Sequence, residues 1–87
     1  MSTENVDILT PEQCRAARGL IQLSQPALAK SAGLGLSTVV DFERSRRTVA
    51  PDSLKKMRAA LEKAGVNFID ENGGGAGVRL RKAMRGK

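Results

Sequence analysis

The stretch LSQPALAKSAGLGLSTVVDFERSRR, Leu23 to Arg47, decides how this chain folds. It opens on Ser24-Gln25-Pro26, where serine suits a helix N-cap and proline is tolerated in the first turn. Leu28 and Ala32 share a face, which predicts a short helix from about Gln25 to Ala32. Gly33 stops that helix and supplies the left-handed backbone a tight turn needs, with Leu34 expected as a buried plug. A second helix is expected from about Leu36 to Arg44. Val39, Phe42 and Glu43 face inward there, and Leu36, Ser37, Val40, Asp41 and Arg44 are left facing outward. Val39 and Val40 are weak helix formers, so tertiary packing must hold this helix. Arg44, Arg46 and Arg47 crowd its exit.

Working upstream, Thr10-Pro11-Glu12-Gln13 reads as a capping box with proline at the first helical position. Cys14, Ala17 and Ile21 then share one face of a first helix. Downstream, residues 45–50 read as a basic loop. A fourth helix runs from near Pro51 to Gly65, with Leu54, Met57, Leu61 and Ala64 as its apolar stripe. Lys55, Lys56, Arg58, Glu62 and Lys63 fall mainly on its wet side. The period then changes. Val66, Phe68 and Asp70 alternate with Asn67 and Ile69, and Val78 to Arg81 alternate again beyond a glycine-rich stretch. These are two short strands joined as a hairpin. An isolated hairpin is marginal, so it must lie on the helices or pair with another chain. The expected fold is mainly α, four helices with a C-terminal β-hairpin. Residues 1–9 are expected as a flexible arm, 10–65 as the helical domain, 66–81 as the hairpin and 82–87 as a basic flexible tail.

Composition narrows the function. Eighty-seven residues make one small domain with a modest core, built without Trp or Tyr, and such a domain often gains stability by pairing with a copy of itself. The net charge of +6 favours a polyanion partner. The charge is also segregated. The first twelve residues hold Glu4, Asp7, Glu12 and no base, whereas the last nine hold Arg79, Arg81, Lys82, Arg85, Lys87 and no acid. Cys14 is the only cysteine, which fits a reducing cytoplasm, and without histidine there is little material for a metal site. No apolar run approaches a membrane span, and no targeting segment is read. The serines have no base beside them in any recognisable arrangement, so an enzyme is not expected. Gly73 to Gly77 lacks the Gly-Lys-Ser/Thr ending of a phosphate loop, and no cofactor is expected. No effector pocket is readable.

On these residues the chain resembles the phage-repressor type of helix-turn-helix, the Xre/Cro family of bacterial and phage regulators. The resemblance covers about residues 12 to 64. It is carried by Leu23-Ser24-Gln25, Leu28-Ala29, Ala32-Gly33-Leu34, Ser37-Thr38-Val39, and Phe42-Glu43-Arg44 with Arg46-Arg47. The tail resembles that of a subgroup in which a strand pair replaces the fifth helix. The resemblance implies a lambda-repressor-like helix bundle and a duplex DNA ligand read in the major groove by the helix over residues 36–44. It implies that Gln25 clamps a phosphate or reaches a base edge, and that Leu36, Ser37, Val40 and Asp41 face the groove. It also implies that Arg18 and Glu43 pair between helices. Two departures stand out. Gly35 stands where the family often has a Ser or Thr cap, and Ser45 where it usually has Gly.

The expected DNA contacts are therefore Ser24, Gln25, Leu36, Ser37, Thr38, Val40, Asp41, Arg44, Arg46 and Arg47. Leu36 could touch a thymine methyl and Asp41 could accept from cytosine N4. The plainer role for Asp41 is to orient Arg44 from three residues away. The plainer role for the arginines is a solvated basic loop. The expected dimer contact is Val66, Phe68, Ile69, Val78 and Leu80, in a homodimer on a pseudo-palindromic operator. The rivals are an antitoxin-type regulator that also holds a toxin, a protein-interaction module on the same scaffold, and an RNA binder, disfavoured by the lack of aromatics.

Overall fold

A computed structural model describes residues 8–71 and 73–81. Its elements begin and end where local chemistry directs. Helix α1 spans Pro11–Ile21. Thr10 caps it, with its hydroxyl accepting from the Gln13 N–H at 3.0 Å while the Gln13 side chain accepts from the Thr10 N–H at 3.0 Å. Helix α2 spans Gln25–Ala32 and is capped by Ser24, whose Oγ accepts from the Ala27 N–H. Gly33 ends α2 in the left-handed region at φ 72°. Helix α3 spans Leu36–Glu43 with Gly35 at its N-cap and no side-chain cap, so this helix start is held by packing. Helix α4 spans Pro51–Lys63, and strands β1 (Val66–Ile69) and β2 (Gly77–Leu80) follow.

The strands pair antiparallel, with Val66 opposite Leu80 and Phe68 opposite Val78. Cross-strand partners share a face, so these four side chains lie on one side of the hairpin and Asn67, Ile69 and Arg79 on the other. The hairpin lies on α1 and α4. Val66 is fully buried, and Phe68 and Val78 pack against the core. Gln13 ties the far end down, its Nε2 donating to the carbonyls of Gly77 (3.1 Å) and Ile69 (3.4 Å). The near end closes where the Arg81 N–H donates to the Gly65 carbonyl at 2.8 Å.

The core is one cluster of Leu9, Cys14, Ala17, Leu28, Ala29, Ala32, Val39, Phe42, Val49, Leu54, Met57, Leu61 and Val66. Four expectations are corrected here. Leu9 is buried in the core and Ile8 packs against it, so residues 8 and 9 do not belong to a flexible arm. Ala64 does not extend the stripe of α4 but caps it in an exposed position, with Ala60 partly buried against the core instead. Arg58 leaves the wet side, donating to the Ile8 carbonyl at 2.9 Å and lying 4.9 Å over the Phe68 ring. Val66 is enclosed by its own chain and is not available to a second one. The rest of the expected arm, residues 1–7, and the basic tail, 82–87, lie outside the described residues.

Candidate nucleic-acid interface

Helices α2 and α3 are joined by three residues, Gly33 to Gly35, and α3 is fixed from behind by one buried carboxylate. Glu43 is 2% exposed. Arg18 of α1 holds it with two hydrogen bonds of 2.7 Å, Nε to Oε2 and Nη2 to Oε1. The Cys14 thiol donates to Oε2 at 3.0 Å, and the Gln25 amide donates to Oε1 at 2.9 Å. Arg18 also donates to the Leu23 carbonyl at 3.0 Å, and Arg15 donates to the Glu43 backbone carbonyl. One side chain at the end of α3 thus gathers donors from α1 and α2.

The electrostatics follow from that geometry. Burial pushes the Glu43 carboxyl up, but the hydrogen bonds from Arg18, Cys14 and Gln25 and the Arg18 charge outweigh it and hold the group below its ordinary value. The hydrogen bond to Glu43 raises Arg18 against the opposing effect of burial. Burial pushes the Cys14 thiol well up, reinforced by its bond to Glu43 and that group's charge, so it stays protonated and donates. The sequence placed Cys14 only on one face of the first helix, with Ala17 and Ile21.

The opposite face of α3 is open. Leu36 is 45% exposed, Ser37 and Arg44 are exposed, and Thr38, Val40 and Asp41 are half-buried. Arg44, Arg46 and Arg47 all lie exposed at its exit, and Ser24 is exposed at the start of α2. The residues singled out from the sequence are thus exposed or half-buried, with two corrections. Gln25 does not reach outward, because its amide is turned to Glu43. Asp41 does not pair with Arg44. Its Oδ2 lies 3.4 Å from Nε of Arg47, which also donates to the Thr38 hydroxyl at 3.2 Å. Arg47 is folded back across α3, leaving Arg44 and Arg46 without an ion pair to any described residue. The turn that aims these arginines depends on Ser45, held left-handed at φ 57°, with the Arg46 N–H donating to the Asp41 carbonyl at 2.8 Å. Sequence reasoning flagged Ser45 only as a departure from the resembled pattern.

Among the described residues, no group of three or more Cys, Asp or Glu is arranged to hold a metal, and no helix is long and apolar enough to cross a membrane. No protein-family model matches the chain, and no curated protein is similar enough to it to count as a relative.

Proposed function

We propose that this chain is a sequence-specific double-stranded DNA-binding regulator, a repressor of the Xre/Cro helix-turn-helix type, which inserts α3 into the major groove. The observation that carries the reading is the two-sided construction of α3. Its inner side is locked to α1 and α2 through Glu43, while its outer side offers Leu36, Ser37 and Val40 ahead of the exposed arginines at its exit. A helix of that width suits the major groove, and cations beside it suit the phosphates that border the groove. With the Gln25 amide turned inward, the phosphate contact at the start of α2 falls to the Gln25 backbone N–H and to Ser24, since Pro26 has no N–H and those of Ala27 and Leu28 are taken by Ser24.

Operator binding is assigned to a homodimer whose half-sites lie about one helical turn apart, roughly 34–36 Å, the spacing typical of helix-turn-helix dimers. The remaining dimer surface on the hairpin is Leu80, 54% exposed, and the open strand edges, with Ile69 half-buried beside them. Deleting residues 66–87 would uncover the core at Val66, so Leu80→Glu is the sharper probe. A sedimentation measurement should find this variant monomeric and the parent dimeric; a dimeric variant refutes the hairpin contact.

The function itself is tested by fluorescence anisotropy with a random duplex and with the fragment upstream of the gene, each at two salt concentrations. Promoter-preferring binding that weakens with salt supports the proposal. Absence of binding to either duplex at low salt overturns it.

A further inference from the structure

We infer that a cleft beside the basic loop is a binding site for a small anion with an apolar body, such as an aryl or alkyl monocarboxylate. The cleft has a volume of about 520 Å³ and lies between the approach to α1, the end of α3 and the loop to α4. That volume is within the roughly 300–1,000 Å³ typical of small-molecule sites. Leu9, Phe42, Val49 and Leu54 form its floor, and all four belong to the core, so packing fixes the shape of the floor. Arg46 and Arg47 are the charged members of the lining, and no carboxylate is among the lining residues.

The charge arrangement selects the ligand. Arg47 is engaged by Thr38 and Asp41, whereas Arg46 is exposed and has no ion pair with any described residue. An unneutralised guanidinium over an apolar floor favours a ligand with one acceptor end and one greasy end. A carboxylate matches the guanidinium fork through two parallel N–H···O bonds. A polyphosphate would leave the floor unfilled, and a cation would meet the arginines. If α3 and its arginines contact DNA as proposed above, the same ligand would withdraw Arg46 from a phosphate and couple its concentration to operator affinity.

The test uses the full chain without DNA, so its outcome is independent of the DNA reading. The isotope-labelled protein is titrated with 4-phenylbutyrate and, separately, with its uncharged isostere 4-phenylbutyramide, while amide resonances are followed by NMR. Saturable shifts centred on Phe42, Val49 and Leu54 are expected with the acid. The amide should bind about tenfold more weakly or worse, and Arg46→Gln should lose about tenfold for the acid with an otherwise native spectrum. No localised shifts with the acid would overturn the inference. Equal binding of acid and amide, or an unaffected Arg46→Gln, would do the same.

Discussion

Two residues hold the interface from opposite directions. Glu43 is a buried charge satisfied by Arg18, Cys14 and Gln25, and removing one side of such a pair strands the other. Glu43→Ala is expected to cost about 3–5 kcal/mol, read as a large drop in the thermal midpoint; an unchanged midpoint would refute the structural role. The pH dependence has a definite sign. Because the folded carboxyl titrates below its unfolded counterpart, its contribution is complete at neutral pH. It drains away as acid protonates the unfolded chain, below about pH 4.3, and then the folded one. Wild type should therefore lose stability on acidification more steeply than Glu43→Gln. Ser45 is the opposite case, a residue in a conformation that costs an L-amino acid about 1 kcal/mol. Ser45→Gly is expected to raise stability by roughly 0.5–1 kcal/mol, relief of the left-handed strain exceeding the added freedom of the unfolded chain. A lowered thermal midpoint would contradict it.

At the scale of the element, helix positions were legible in the sequence because three of the four described starts carry their own chemistry. Thr10, Ser24 and Pro51 announce three of them, and Gly33 announces a stop. What stayed illegible has no local period. Leu9 and Val49 lie in irregular segments with no apolar period to follow, so the sequence pattern does not say that the core lies beneath them. Arg58 sits in a lysine-rich stretch and reads as solvated, yet it spans Ile8, Glu62, Asp70 and Phe68, distant in sequence except for Glu62. The outer face of α3 was readable from spacing alone, but the fold-back of Arg47 was not, because it depends on the turn at Ser45. Gln13 shows how tertiary context reverses a local rule. A glutamate is as good as glutamine in a capping box. Here the Gln13 amide also faces two strand carbonyls, so Gln13→Glu would press a buried carboxylate against acceptors. A loss of about 1–3 kcal/mol is expected in chemical denaturation, and an unchanged midpoint would show that the hairpin contact is dispensable.

For the whole molecule, if the chain binds duplex as proposed, the salt dependence of that binding reports how many cations meet phosphate. Each contact contributes about 0.9 to the slope of log K against log salt. Arg44→Ala and Arg46→Ala should each flatten the slope by about that amount for any duplex, without changing which sequence is preferred. A flattened slope with altered preference would instead place the residue on a base edge. On the proposed reading, the charge of +6 would also draw the chain to duplexes of any sequence, and specificity would rest on the few outward groups of α3. The double duty of Gln13 has a last consequence, in the breathing of the fold. One side chain closes the first turn of α1 and clasps the tip of the hairpin, although 56 residues separate Gln13 from Ile69. The start of α1 and the hairpin therefore cannot fray independently, and amide hydrogens in β1 and β2 should exchange with solvent through the same opening that releases the start of α1.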